Sequence, residues 1–215
     1  MCSYCGNLSD TRDHVPSKVL LTKPYPENMH VVGCCFECNQ SFSNDEVYFV
    51  CLMECIVNGT TEIDKLQRVN IQRILRQKPH LHKIIQQSYI TEGQSSYFKP
   101  DWRAIENIVL KFARGHAAYE GSAPQLDPPT HIAYKPLYQL NDKERHHFFS
   151  EPEVTVYPEV GSRLFEEVVL DNNTPFSLWI TVEDRIYSYL ISSSVSGFSV
   201  RIVIYDYLVA EVSWR

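Results

Sequence analysis

The 215-residue sequence lacks any run of 18 apolar residues, which argues against a membrane-spanning helix. Its first residues contain neither the basic segment nor the apolar core of a signal peptide, so we expect a cytoplasmic protein. It also lacks internal repeats and low-complexity tracts, while 44% of its residues are hydrophobic. This composition is typical of a soluble protein with one or two domains and a substantial core.

Positive charge is scarce for a protein that would bind nucleic acid, because the formal net charge is −6. Residues 1–59 carry 3 Lys/Arg against 7 Asp/Glu, residues 60–119 carry 10 against 5, and residues 120–215 carry 7 against 14. The basic excess in the middle third fits either a local footprint for a polyanion or an ordinary solvated helix surface.

The seven cysteines are better explained by metal binding than by disulfides, because the cytosol keeps thiols reduced. Two CxxC pairs predict a four-thiolate zinc site made of Cys2, Cys5, Cys35 and Cys38. Cys34 could replace Cys35, but its CxxxC spacing to Cys38 makes Cys35 the expected ligand. We expect the three cysteines outside this set to be small buried hydrophobic residues: Cys34, Cys51 and Cys55.

A zinc ion with four thiolates is coordinatively closed, so the predicted zinc is structural and catalysis would need a second metal. The Asp13 carboxylate and the Asn39 carboxamide are hard oxygen ligands of the kind that Mg²⁺ prefers. His14 has an ordinary pKa near 6.5 and can accept a proton from water at neutral pH. Together these residues suit phosphodiester hydrolysis, although His14 could also be a loop histidine beside a capping Asp13.

The order CxxC, Asp13-His14-Val15-Pro16, Pro26-Glu27-Asn28-Met29 and Cys-x-x-Cys-Asn resembles the HNH endonuclease family, in its four-cysteine, zinc-containing variant with a ββα-metal fold. The resemblance covers about residues 1–45. It implies that His14 is the general base, that Asp13 and Asn39 hold one Mg²⁺ or Mn²⁺ ion, and that Asn28 supports the loop orienting His14. It also implies a nucleic-acid partner, with DNA favoured, and products with a 5′ phosphate and a 3′ hydroxyl.

The segment 111–115 (Lys-Phe-Ala-Arg-Gly) is also similar to one seen in small bacterial HNH proteins, but no chemistry follows from it. Residues 40–43 are uncharged where many family members carry basic residues. Contacts to a nucleic-acid backbone would then come from Arg12, Lys18, Lys23 or the basic middle third. The alternatives are a catalytically silent, zinc-stabilised nucleic-acid-binding module and a nuclease gated by a partner or ligand. A homodimer and a role in bacterial defence are further, more speculative interpretations.

The pattern along the chain predicts an α+β protein in three parts: a zinc-stapled ββα-metal module with its following helix (1–58), a helical region (59–121) and a β-rich region (122–215). We expect helices over 45–57, capped by Asn44-Asp45-Glu46, over about 61–87 with a break at Pro79, and from Asp101 to Gly115 or Gly121. Ser43 and Asn44 are better explained by helix capping than by contact with the site.

An antiparallel sheet is predicted for the C-terminal part. Its expected strands are residues 153–157, 177–182, 185–190, 199–204 and 208–212, with turns at 171–173, 183–184 and 196–197. The aromatic residues of these strands are expected in the sheet core. His30 is expected to be an exposed strand residue, or else a substrate contact, and the other histidines to be surface residues: His80, His82, His116, His131, His146 and His147.

Overall fold

A computed structural model describes residues 1–27, 29–93, 95–150, 160–163, 165, 179–194 and 197–215. The architecture is mixed α/β, with a five-stranded antiparallel sheet and a cysteine cluster near the N-terminus. The chain forms two compact units, residues 1–40 with 109–215 and residues 41–108. The three-part domain division stays a prediction, because compactness alone does not show which segments fold independently.

The N-terminal segment consists of strand β1 (Thr11–Val15), strand β2 (His30–Cys34) and the start of helix α1 (Phe36–Asn58). The strands are antiparallel. The order strand, strand, helix is the one that the ββα-metal prediction requires. Gly33 permits a close approach of the N-terminus, because a Cβ there would lie 2.8 Å from the Met1 carbonyl oxygen.

Helix α1 begins at Phe36 rather than at residue 45, so the predicted cap was wrong. Ser43, Asn44, Asp45 and Glu46 all lie inside the helix. The backbone N–H of Phe36 instead donates to Asp10 Oδ1 at 2.7 Å. This carboxylate satisfies one of the free donors of the first turn from a distant part of the sequence, which local capping patterns do not reveal.

In the unit of residues 41–108, helix α2 (Val69–Gln77) ends just before helix α3 (Pro79–Ser88) begins. The predicted break at Pro79 is confirmed. Proline takes the first turn of α3, where its missing N–H has no helical acceptor in any case. A short hairpin of β3 (Tyr89–Glu92) and β4 (Ser95–Phe98) follows, which the sequence analysis did not predict.

Helix α4 (Trp102–Glu120) begins where expected, since the Arg103 N–H donates to Asp101 Oδ1 at 3.0 Å. It ends before Gly121, one of the two predicted positions. Gly115 is therefore inside the helix, where it has a packing role: a Cβ there would lie 2.4 Å from Val15 Cγ2.

The C-terminal sheet has the order β5-β9-β8-β7-β6, with antiparallel neighbours throughout. Its elements are β5 (His131–Pro136), β6 (Trp179–Glu183), β7 (Tyr187–Ser194), β8 (Gly197–Ile204) and β9 (Leu208–Trp214), with helix α5 (Asp142–Phe149) between β5 and β6. The predicted antiparallel sheet is confirmed. The expected strand 153–157, the turn 171–173, residues 177 and 178, and Ser196 of the turn 196–197 lie outside the described residues.

Strand β5 and helix α5 were not predicted. The sequence nevertheless contains a start signal for α5, the spacing Asn-x-x-Glu. In the structure Asn141 and Glu144 form a capping box with reciprocal hydrogen bonds of 3.0 and 2.9 Å. The sheet aromatics Tyr187, Tyr189 and Trp214 are buried, as expected. Within the described residues, no helix has both the length and the apolar character needed to cross a membrane.

Candidate functional site

Four cysteines converge where the N-terminal loop meets the start of α1. The Sγ atoms of Cys2, Cys5, Cys35 and Cys38 all lie within 4.8 Å of one another, and those of Cys5 and Cys35 are 3.7 Å apart. A tetrahedral zinc ion with Zn–S bonds of about 2.3 Å requires sulfur separations near 3.8 Å. The cluster therefore fits zinc, and it uses Cys35 rather than Cys34, as predicted.

The surroundings act in opposite directions on different thiols of the cluster: burial and the neighbouring Cys35 and Cys5 thiols raise the pKa of Cys38, whereas the pKa of Cys2 is lowered. The N–H of Cys38 points to Cys35 Sγ at 3.5 Å. Burial by itself raises the pKa of the Cys2 thiol, but hydrogen bonds from the backbone of Cys35, Tyr4 and Cys5 outweigh it and lower that pKa to about 6. The three remaining cysteines are fully buried, as expected: Cys34, Cys51 and Cys55.

Asp13 and His14 occupy opposite faces of β1, because successive side chains of a strand alternate. Asp13 is buried, at 8% exposure, whereas His14 is partly exposed. Among the described residues β1 pairs with β2 alone, so its second edge has no partner strand. The two side chains thus lie on different faces of the same strand.

The Asp13 carboxylate is held by two neighbours. Tyr4, which lies between Cys2 and Cys5, donates its hydroxyl to Oδ2 at 2.7 Å. The Lys111 ammonium lies 2.9 Å from Oδ2 and 3.1 Å from Oδ1, and it also donates to Ser17 Oγ at 2.8 Å. Lys111 is 1% exposed, so this is a buried ion pair with additional hydrogen bonds.

The segment 111–115 connects α4 to the N-terminal residues at three points. Lys111 binds Asp13, Arg114 Nη1 donates to the Tyr4 carbonyl oxygen at 3.4 Å, and Gly115 lies against Val15. Positions 111 and 115 share one face of a helix, just as residues 13 and 15 share one face of a strand. The segment has no chemistry assigned from the sequence, and in the fold it packs α4 against β1.

His14 lies in a locally positive environment although the whole chain is acidic. Partial burial lowers its pKa from the ordinary value, and the charges of Lys18 and Lys111 lower it further against the opposing effect of Asp13. The imidazole is therefore neutral near pH 7 and able to accept a proton. Arg12 is exposed and, as the residue two positions earlier, shares the His14 face of β1.

Asn39 lies in the second turn of α1 and is partly exposed. Its Nδ2 group donates to Thr11 Oγ1 at 3.4 Å, so it adjoins β1 on the face that Thr11 shares with Asp13. Its carbonyl oxygen is the atom that would face a hard metal ion. Asn28, the predicted support of the His14 loop, lies outside the described residues.

An open groove of about 760 Å³ follows the β1–β2 hairpin. Its lining includes two exposed residues of opposite charge, Asp10 and Arg12, and consists of Ser9, Asp10, Thr11, Arg12, Val31, Val32 and Gly33. Val31 is the register partner of His14, so the groove runs along the strands beside that histidine.

A second group of buried polar residues connects β2, α4 and β7, and it was not predicted from the sequence. Glu120 Oε1 accepts from the Tyr189 hydroxyl at 2.6 Å and lies 3.5 Å from His30 Nδ1. His116 Nε2 lies 2.8 Å from the Tyr187 hydroxyl, and its ring stacks on Tyr189. The expectations of an exposed His30 and a surface His116 were wrong, since the first stacks on a tyrosine ring and the second is fully buried.

The other histidines conform more closely to expectation. His131 is exposed on β5, and His80, His146 and His147 are exposed as well. His82 is partly buried, with Nε2 2.8 Å from the Thr61 carbonyl oxygen. His116 follows Phe112 by four residues and Val109 by seven, so the helical period places it on the buried apolar face of α4 and could have predicted its burial.

Comparison with protein-family models, with curated proteins and with solved structures found no match to this chain. The resemblance to HNH endonucleases therefore depends on the residues and their arrangement alone.

Proposed function

We propose that the protein is a zinc-stabilised, metal-dependent HNH endonuclease that hydrolyses phosphodiester bonds of nucleic acid, with DNA favoured. The observation that carries the proposal is the position of His14. This neutral, partly exposed histidine lies on the hairpin strand β1, and the N-terminal loop and the start of α1 beside it share the four-cysteine cluster. The cluster supplies the rigidity that so short a segment lacks, because a structural zinc contributes folding energy directly.

In this proposal His14 accepts a proton from water as the water oxygen attacks phosphorus and the bond to the 3′ oxygen breaks. The leaving oxygen takes up a proton to give a 3′ hydroxyl and a 5′ phosphate. Arg12 and Lys18 attract the phosphate backbone to the His14 face, which offsets the missing basic residues after Asn39. Local positive charge attracts a polyanion even to a protein whose net charge is negative.

The Asp13 carboxylate and the Asn39 carbonyl oxygen fit Mg²⁺ or Mn²⁺ in their chemistry, because both are hard oxygen donors, and Asn39 contacts Thr11 on the face of β1 that Asp13 shares. A divalent ion bound there would neutralise negative charge that develops on the phosphate. The proposed homodimer or regulatory partner has no further support in the described residues.

Cleavage of supercoiled plasmid DNA and of an RNA of matched length, with Mg²⁺ or Mn²⁺, tests the proposal. His14→Ala should reduce the rate at least about 100-fold, the usual contribution of a general base. His131→Ala, which removes an exposed histidine of β5, is the matched control and should cleave like the original chain. Equal rates for His14→Ala and the control would reject His14 as the base.

A catalytically silent nucleic-acid-binding module is the second candidate. It is favoured by one observation: both oxygens of Asp13 already have protein partners. Binding that weakens steeply with salt, without cleavage under any metal condition, would establish it instead. Arg12→Ala should weaken binding in both cases, whereas only the nuclease loses a reaction when His14 is replaced.

A further inference from the structure

The Asp13 carboxylate is subject to two incompatible requirements. The proposed function needs it as a ligand of a divalent ion, yet the Lys111 ammonium lies 2.9 and 3.1 Å from its two oxygens. Mg²⁺ bonds to carboxylate oxygens at about 2.0–2.1 Å. An ammonium group and a divalent cation sharing one carboxylate would repel each other strongly in a poorly solvated site.

We propose that Lys111 and a divalent ion compete for Asp13, so that loading the ion requires the ammonium group to leave the carboxylate. This inference rests on the proposed function. In this arrangement Lys111 controls the affinity for the divalent ion, because its ammonium group occupies the carboxylate that the ion needs.

The surroundings indicate that Lys111 is the partner that moves. Its ammonium group ends a flexible four-carbon stem, whereas Asp13 is fixed in a paired strand. Ser17 Oγ accepts from the ammonium at 2.8 Å and can keep doing so after Asp13 is released. The other partner of Asp13, the Tyr4 hydroxyl, is neutral and does not oppose a cation.

The competition predicts the sign of a mutational effect. A ligand that binds only one of two states has its apparent affinity reduced by the fraction of that state. Lys111→Met keeps an unbranched side chain in the core but removes the competing charge, so Mn²⁺ affinity should rise at least tenfold. If Lys111 instead orients Asp13 for the metal, the same substitution should weaken Mn²⁺ binding.

The test is a titration of the zinc-loaded full chain with Mn²⁺ at fixed ionic strength, with free Mn²⁺ measured by electron paramagnetic resonance. Lys18→Met is the matched control, because it removes the same charge from an exposed position near His14. It should change Mn²⁺ affinity less than threefold. Tyr4→Phe removes a neutral donor from Asp13 and should also have a small effect. Asp13→Asn should abolish the tight binding gained in Lys111→Met.

An unchanged or lower Mn²⁺ affinity in Lys111→Met would overturn the competition while leaving the nuclease proposal standing. If no variant binds Mn²⁺ and no cleavage depends on His14, the proposed function itself fails. If Lys111→Met does not fold, the alternative measurement is nitrogen-15 spectroscopy of the lysine ammonium groups in the original chain. The protons of a buried ammonium group exchange with water slowly enough for its signal to be seen. The Lys111 signal must shift or vanish at Mg²⁺ concentrations that saturate the cleavage rate; an unaltered signal would refute the inference.

Discussion

The substitution Gly115→Ala tests whether α4 is seated directly on β1. A Cβ at residue 115 would lie 2.4 Å from Val15 Cγ2, 2.9 Å from Cγ1 and 3.2 Å from Cβ. Val15 is 1% exposed and β-branched, so it has little freedom to rotate away. The helix must therefore shift outward or the strand must deform.

The expected net cost is about 2 kcal/mol. Overpacking a core costs about 1–3 kcal/mol, and contact with Val15 Cβ as well as both methyl groups places this site at the upper end of that range. Replacing glycine by alanine inside a helix returns about 1 kcal/mol. Urea unfolding monitored by circular dichroism should show a lower midpoint at unchanged slope.

The Val15→Ala background identifies the cause, because it removes both Cγ atoms. There, Gly115→Ala should be neutral or stabilising by up to about 1 kcal/mol, since mainly the gain in helix propensity remains. The double-mutant cycle should thus give a coupling energy of about 2–3 kcal/mol, the difference between the effects of Gly115→Ala in the two backgrounds. Equal effects of Gly115→Ala in the two backgrounds would refute the proposed close contact.

Two further predictions concern the metal and the pH dependence of stability. Elemental analysis should find one zinc per chain, lost in Cys38→Ser and retained in Cys55→Ala, which alters a buried cysteine of α1 outside the cluster. Complete burial, and then the neighbouring His30, hold the pKa of His116 well below its ordinary value. The unfolded chain then binds more protons below pH 6.5, so stability should fall by about 1.4 kcal/mol per pH unit there while folded His116 stays neutral. Urea midpoints at pH 7.5, 6.5 and 5.5 should fall less steeply for His116→Phe; equal slopes would contradict this account.

Those parts of the fold that depend on neighbouring residues were predictable from the sequence. The CxxC spacing predicted which four cysteines converge, because the tetrahedral geometry of a zinc site limits how far apart its thiolates can lie. Pro79 had to interrupt a helix, and Asp101 could cap one, for reasons contained within a few residues. Alternation of apolar residues likewise predicted strands β6 to β9 of the C-terminal sheet, although not β5.

What could not be predicted depends on distant partners. The start of α1 is set by Asp10, 26 residues before Phe36, so the nearer and conventional cap at residues 44–46 was preferred wrongly. Lys111 and Asp13 are 98 residues apart, and the sequence around either residue does not indicate the other as its partner. The roles of Asp13 and Asn39 as metal ligands stay predictions for the same reason. A motif gives the kinds of donor atoms, but it does not show which other groups of the protein form hydrogen bonds or ion pairs with them.

Asp13 links the cysteine cluster to the proposed site of the second metal. Its Tyr4 partner belongs to the first CxxC, so closure of the cysteine cluster restricts where that hydroxyl can lie. Its Lys111 partner belongs to α4, whose approach depends on Gly115. The hydrogen bond from the neutral Tyr4 hydroxyl is compatible with a divalent ion on the carboxylate, whereas the ion pair with Lys111 of α4 opposes it. In the proposed function, zinc therefore orients Asp13, and the seating of α4 determines how readily that carboxylate accepts a second metal.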